Sequence, residues 1–370
     1  MHDGKVESIH MVGTYGIPNR YGGFERFAEE ISAGLARRGY TVTVYNPSVH
    51  PYRNPVLGEV RVVRKTFLRF LGPVAPLVFD LFCLRHALRS KAHVILQCGY
   101  TSSVWLPVLS RRKRAFIITH MDGMEWKRGK WGWMAGRFIR WCEKLAVKYS
   151  DRLLTDHPEV QKYYSGKYGI KTFHVGYGVD EKEYGNGKDL SGLSFPGADL
   201  KLEGYCLSIA RLEPENQGEM IIRGFLQAGI PDTLVIVGDT GTRYGRRLTR
   251  RFGHHKNICF AGALYDTEKL RHLRQHCRVY LHGHSVGGTN PSILEAMADG
   301  CLILAHDNPF NREVLRHFGK YFRTAGELAA LLREPALHTH RKAQIEYTQE
   351  NYRWGKAVDA LENVMGTRVG

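Results

Sequence analysis

Gly287-Gly288-Thr289-Asn290-Pro291-Ser292-Ile293-Leu294-Glu295-Ala296-Met297 follows the apolar run Val279-Tyr280-Leu281 and leads into an amphipathic pattern. Small residues at a strand-to-helix junction let backbone N–H groups approach a ligand, and the helix N-terminus adds a partial positive charge. Glu295 falls about one turn into that helix, where a carboxylate can reach past bound phosphates to a ribose. The stretch suits a nucleotide diphosphate. Taken alone it also reads as a glycine turn before a core helix, and the rest of the chain decides between the two.

Around that loop the chain alternates apolar runs with helical patterns. Residues 6–12 read as a buried strand, 24–38 as an amphipathic helix and 41–45 as the next strand. Further runs at 60–63, 94–97, 115–119 and 152–155 follow, with a long helix over 133–149. Near 176–202 the composition turns to Gly, Asp, Lys and Ser with Pro196, which reads as a linker. A second series then runs through 205–209, 233–237, 258–260, 279–282 and 302–305. Alternation at this spacing predicts an α/β protein with two doubly wound parallel sheets. The predicted domains are 1–180 and 181–349, with the tail helix 350–370 expected to pack back on the first. Two such units in tandem would place a cleft outside the carboxyl ends of their strands, lined by the glycine-rich loops 13–23 and 287–290.

At 370 residues the chain is too long for one ordinary core. Its 53 Lys+Arg against 36 Asp+Glu give a formal charge of +17, which favours an anionic partner: nucleic acid, anionic lipid or a phosphorylated substrate. Runs such as Arg111-Arg112-Lys113-Arg114 and Arg246-Arg247 with Arg250-Arg251 also read as solvated faces. The seven cysteines are scattered and lack a C-x-x-C spacing, which points to a reducing compartment rather than structural zinc or a disulfide frame. The polar start, Met1-His2-Asp3-Gly4-Lys5, carries no signal-peptide pattern. The most apolar region, 67–88, is interrupted by Arg69, Pro73, Pro76, Asp80 and Arg85, too much polarity for a spanning helix. Its Leu77, Phe79, Leu81, Phe82 and Leu84 read as core, or as a surface that dips into a membrane with Lys65, Arg69 and Arg85 at the headgroups.

Four segments in order carry a family resemblance: Gly13–Glu25 (GTYGIPNRYGGFE), Asp122–Arg128 (DGMEWKR), Ala210–Asn216 (ARLEPEN) and Gly287–Met297. Together they resemble the glycosyltransferases of family 4, with the GT-B fold of two Rossmann-like domains facing a central cleft. Within that family they resemble the bacterial rhamnosyltransferase subgroup of capsule and cell-surface polysaccharide synthesis. The resemblance implies a retaining, metal-independent transfer of a sugar from a dTDP-, UDP- or GDP-linked donor, with no other cofactor. L-rhamnose is the sugar the subgroup suggests; glucose, mannose, fucose or N-acetylhexosamine are the alternatives, onto a glycan or lipid-linked oligosaccharide acceptor. It places Arg211 at the diphosphate, with the amides of Gly288, Thr289 and Asn290 beside it and Gly22-Gly23 closing the other side. Glu295 would take the ribose hydroxyls, and His120 and Asp122 would contact the donor sugar near its anomeric carbon. Arg211, Asp122 and His120 are therefore the expected catalytic groups.

Two positions depart from the family pattern. Asn216 stands where the wider family has a lysine, and Gly287 where it has an acidic residue, with His284 nearby. The basic-aromatic cluster Trp126, Lys127, Arg128, Lys130, Trp131 and Trp133 reads as an acceptor rim or as a packed loop. Tyr21 is a similar acceptor candidate. A sugar-nucleotide epimerase would need an acid–base pair that the sequence does not supply. A non-catalytic basic membrane-associated protein accounts for the charge alone. No nucleic-acid-binding motif is visible, and no D-x-D sequence occurs to seat a metal. The reading places the protein in the cytoplasm, peripheral at the inner face of the plasma membrane.

Overall fold

The computed structural model describes residues 8–109, 115–121, 123–128, 131–180, 204–335 and 340–366. The chain divides into two compact units: 1–127, 131–178 and 354–370 form one, and 128–130 with 179–353 form the other.

The first unit is built on eight strands: β1 (Ser8–Val12), β2 (Thr41–Pro47), β3 (Val56–Leu57), β4 (Val60–Lys65), β5 (Val94–Cys98), β6 (Phe116–His120), β7 (Arg152–Thr155) and β8 (Phe173–His174). They lie in the order β3-β4-β2-β1-β5-β6-β7-β8, all parallel except the β3–β4 pair. The central strands β1 and β5 are almost wholly buried, as expected of a parallel sheet covered on both faces. Crossovers are right-handed, so the direction of travel along the sheet decides which face each helix covers. The step from β1 to β2 puts the helix Gly23–Arg37 on one face. The steps β4–β5, β5–β6 and β6–β7 run the other way and put the helices Ala75–Arg89, Leu106–Leu109 and Trp133–Tyr149 on the opposite face. The helix Trp354–Gly366 returns to the first face: a Cβ on Gly34 would sit 2.5 Å from Val358, and Arg38 pairs with Asp359 and Glu362.

The second unit holds β9 (Tyr205–Ile209), β10 (Thr233–Val237), β11 (Ile258–Gly262), β12 (Val279–His282), β13 (Ile303–His306) and β14 (Gly319–Phe322). Their order is β11-β10-β9-β12-β13-β14, all parallel, the double winding of a dinucleotide-binding fold. One core packs Ile221, Ile222 and Phe225 of the helix Gly218–Ala228 with Leu234, Leu281, Leu304, Phe322 and Leu328. In each sheet the strand order reverses once, between β1 and β5 and between β9 and β12, and ligands of such sheets bind outside the carboxyl ends at that point.

Strands β3, β8 and β14 have no counterpart in the sequence reading. β3 and β8 are two-residue pairings, and β14 is an edge strand with Lys320 exposed, so none shows an apolar run. Most of the expected linker, 181–203, lies outside the described residues, as do Arg111–Arg114 and Lys130.

Candidate functional site

In the second unit, the loops after β9 and β12 meet where the strand order reverses. A Cβ on Gly283 would lie 2.2 Å from the carbonyl oxygen of Asn216, so the two backbones touch and only glycine fits. Ser285 donates from both its N–H (3.0 Å) and its hydroxyl (2.7 Å) to the Glu215 carbonyl. Asn216 donates to the Arg211 carbonyl (2.7 Å), and its Oδ1 lies 2.9 Å from Nδ1 of His284. The loop after β13 joins them, since Asn308 and Asn311 both donate to the His284 carbonyl at 2.9 Å. Side-chain amides thus tie three strand ends into one rim. The departure at Asn216 acquires a physical reason here: a lysine would bring a charge but could not hold both Arg211 and His284.

Arg211 leaves β9 on this rim, half-buried and with its carbonyl fixed from two sides, by Asn216 and by the Glu213 N–H (2.8 Å). Gly288, Thr289 and Asn290 follow on the facing loop. Asn290 is the N-cap of the helix Pro291–Ala298 and accepts from the Ser292 N–H and hydroxyl, both at 3.0 Å. Pro291 has no N–H, and Ile293 bonds back to the Asn290 carbonyl. The first-turn donors are therefore spent within the helix, so a phosphate would be met by the amides of the loop before it. Glu295 is held by Arg274 (2.8 Å), a fully buried guanidinium that also bonds Asp299 (2.5 Å). The sequence reading did not find Arg274, because it lies two elements away on the helix Thr267–His276.

The second departure also has a cause. Gly287 sits at φ +124°, a conformation that side chains rarely adopt, and its Cβ position is 3.1 Å from Nε2 of His284. Restoring the family's acid as Gly287→Glu should cost on the order of 1–3 kcal/mol of backbone strain. A lower Tm with no gain in donor affinity is expected, and a variant as stable as wild type would refute the strained geometry.

Acidic and imidazole groups crowd the same rim. Glu215 is buried beside the carboxylate of Glu213. Burial first, and neighbouring Glu213 second, push its pKa above the usual carboxylate range, while the Arg128 guanidinium opposes them. Arg128, expected at the acceptor, groups with the second unit and is buried there. His282, at the end of β12, is held neutral: burial, helped by His306, lowers its pKa to about 3. Among the described residues no cluster of three or more His, Cys, Asp or Glu is arranged to hold a metal ion.

In the first unit the glycine-rich loop leaves β1 at the switch point, and a Cβ on Gly13 would strike the Cys98 carbonyl at 2.3 Å. Its N–H groups are largely committed to side chains: Tyr15 to Glu25 (2.8 Å), Ile17 to Asn46 (2.9 Å) and Asn19 to Glu29 (3.0 Å). Gly22 and Gly23 open the helix Gly23–Arg37 without a side-chain cap from Gly22, and the buried carboxylate of Glu25 lies in its first turn. Tyr21 is exposed and packs on Tyr15 with ring centroids 4.6 Å apart.

His120, expected to contact the donor sugar, ends β6. Its ring is 1% exposed, enclosed edge-on by Phe24 and Phe27 and near Tyr177, because the start of the helix Gly23–Arg37 covers the end of β6. Asp122 lies outside the described residues. Trp126 donates its indole N–H to the buried Glu143 (3.0 Å) and carries Arg140, Lys127 and Lys167 over its ring at 4.8, 5.5 and 5.8 Å. Lys127 is exposed.

Residues 21–183 match the family model described as Glycosyltransferase Family 4, and residues 200–346 the one described as Glycosyl transferases group 1. No curated protein sequence matches the chain. Among solved structures, sucrose-phosphate synthase from Thermosynechococcus elongatus is similar with a TM-score of 0.81 at 15% identity, over 98% of this chain and 99% of that one. The Anabaena protein HepE in complex with UDP-glucose gives 0.73 at 16% identity, over 98% and 99%. The catalytic domain of Arabidopsis thaliana starch synthase IV, bound to ADP and acarbose, gives 0.72 at 13% identity, over 98% and 99%. At these identities the likeness speaks for the fold, which is GT-B.

Proposed function

We propose, from the premise that this chain belongs to the glycosyltransferases of the family 4 and group 1 type, that it is a retaining transferase of cell-surface polysaccharide synthesis. It moves a hexosyl or deoxyhexosyl group, L-rhamnose first among them, from a nucleoside-diphosphate donor to a glycan or lipid-linked oligosaccharide. The observation that carries the reading is the rim of the second unit, where Arg211 and the Gly287–Asn290 loop flank the strand-order reversal between β9 and β12. A departing nucleotide diphosphate develops negative charge, and a fixed guanidinium with loop amides meets that charge without reorganising. Glu295, braced by Arg274, accepts the ribose hydroxyls. The bond from the anomeric carbon to the nucleoside diphosphate breaks and the acceptor hydroxyl oxygen bonds to that carbon on the same face, its proton passing to the departing phosphate, without a protein nucleophile and without a catalytic metal. Asp122 supports charge near the anomeric carbon, while His120, inside the first unit, positions the strand end that carries it. Tyr21, Trp126 and Lys127 receive the acceptor, and Arg128 holds the Glu215 side of the rim. The protein works in the cytoplasm at the inner membrane face.

The test is a thermal-shift and nucleotide-release screen over dTDP-, UDP-, GDP- and ADP-sugars, the last added because the Arabidopsis neighbour is bound to ADP. A ligand bound only by the folded state at 100 times its Kd stabilises by about 2.7 kcal/mol. One sugar nucleotide should raise Tm and release its nucleotide when acceptor is added. If no sugar nucleotide and no free nucleoside diphosphate shifts Tm, the donor assignment fails.

A further inference from the structure

The two sides of the first unit's sheet are finished differently. The face carrying the helix Gly23–Arg37 is covered by the tail helix Trp354–Gly366. The opposite layer, made of the turn Arg69–Val74, the helix Ala75–Arg89, the segment Thr101–Leu109 and the helix Trp133–Tyr149, keeps large apolar side chains in solvent. These elements are neighbours. Trp105 donates its indole N–H to the Leu77 carbonyl at 2.8 Å, and the Thr101–Trp105 turn packs on the helix Trp133–Tyr149. Phe70 is 82% exposed, Met134 77%, Trp133 72%, Val108 68% and Trp141 48%, with Val74 and Phe82 beside them. In the second unit, among the described residues, Tyr265 is the one exposed large apolar side chain. Outside the layer the exposed large apolar side chains among the described residues are Tyr21, Val49, Val56, Trp131 and Tyr265, so the layer carries seven of the twelve and the most exposed of them.

Charge on the layer is one-sided as well. Its two carboxylates, Asp80 and Glu143, are both buried. Its exposed charged residues are all cations: Arg69, Arg85 and Arg89 on one helical segment, and Arg137, Arg140, Lys144 and Lys148 on the other. On the helix Trp133–Tyr149 the steps Trp133, Arg137, Arg140–Trp141, Lys144 and Lys148 fall on one face. Arg137 lies 5.1 Å over the Trp133 ring. The apolar segment Arg69–Arg89 does not form one spanning helix: Gly72, at φ 53° and ψ −127°, breaks it. The continuous helix Ala75–Arg89 has 15 residues, or about 22 Å, shorter than the roughly 30 Å of a bilayer core. An indole and phenyl surface ringed by cations, too short to span, matches the interface of an anionic bilayer.

We infer that this layer is a docking surface for an anionic lipid bilayer, with Phe70, Val74, Trp133, Met134 and Trp141 entering the headgroup boundary and the Arg/Lys set meeting lipid phosphates. It deepens the membrane part of the proposed function, yet rests on the first unit's surface and not on the donor chemistry. The arginine-rich helix Arg243–Phe252 of the second unit is the rival cationic surface. It lacks exposed apolar groups, and its Arg247 and Arg251 are engaged by Glu219.

The test is co-sedimentation of the full chain with phosphatidylcholine vesicles, with and without phosphatidylglycerol, comparing wild type with Phe70→Ser/Trp141→Ser and with Lys144→Glu/Lys148→Glu. Wild type should bind the anionic vesicles alone. Losing two cations should weaken partition by roughly 30-fold or more, at about 1 kcal/mol each. The aromatic pair should abolish the blue shift of tryptophan emission on binding. Unchanged circular dichroism and an unchanged response to free nucleoside diphosphates keep misfolding, and failure of the donor reading, separate from failure of this one. Equal binding to neutral vesicles, or binding unaffected by both variants, would overturn it. So would equally variant-sensitive binding to double-stranded DNA.

Discussion

Arg211→Ala is expected to lower kcat/KM for the donor about 10²–10³-fold, the cost of removing one preorganised donor from a site of developing negative charge. The Tm of the free protein should hardly move. The carbonyl of Arg211 accepts from the Asn216 side-chain amide and the Glu213 N–H, and alanine keeps that backbone acceptor. Arg211→Lys should recover part of the rate, since a point charge replaces the charge but not the two-pronged geometry. The stabilisation of wild type by nucleoside diphosphate should vanish in Arg211→Ala. A rate within a few-fold of wild type, with that stabilisation retained, would remove Arg211 from the site. Asn216→Lys makes a useful contrast. It supplies the cation of the wider family pattern but severs the links to Arg211 and His284, so lower donor affinity is expected despite the added charge.

That contrast shows where the sequence was legible and where it was not. Strand β12 and the helix that follows could be placed because an apolar run, a glycine pair and a proline follow one another within a dozen residues. The second sheet's strands at 205–209 and 233–237 were found for the same reason, since buried parallel strands read as unbroken apolar runs. The site's bracing was not legible. Arg274 reaches Glu295 from 21 residues away, and Asn308 and Asn311 reach the His284 carbonyl from 24 and 27. Polar side chains on helices carry no mark of which distant atom they serve. The surroundings of His120 were not legible either: its place at a strand end says nothing of Phe24 and Phe27, which the fold brings over its ring. Of the exposed aromatics of the first unit, Trp131 and Trp133 stood out in sequence within the basic-aromatic cluster, but Phe70 and Trp141 did not, because exposure depends on which face of the sheet each crossover takes.

The other large effect concerns Asp80, fully buried at the switch point of the first sheet. Its carboxylate accepts hydrogen bonds from the Ser102 hydroxyl and the Gly13 N–H, and so ties the glycine-rich loop to the segment after β5. Burial raises its pKa from 3.8 to about 7, against the lowering effect of those two bonds. The acidic and phenolic groups around it, Tyr15, Cys83 and Cys98, are themselves pushed up by burial and stay neutral near pH 7. With the folded value above the unfolded one, the native state binds the extra proton. Asp80's contribution to stability is then fully present below pH 3.8 and lost as pH rises through about 7. At about 1.4 kcal/mol per pH unit this comes to about 4 kcal/mol across the window. Asp80→Asn removes the titration while keeping one acceptor, and the Ser102 hydroxyl can turn to accept from the new amide. The variant should therefore gain stability over wild type at pH 8 and lose most of that gain at pH 5, read as denaturant midpoints at the two pH values. A variant less stable than wild type at pH 8 would mean that the ionised carboxylate, and not the proton, is what the loop requires.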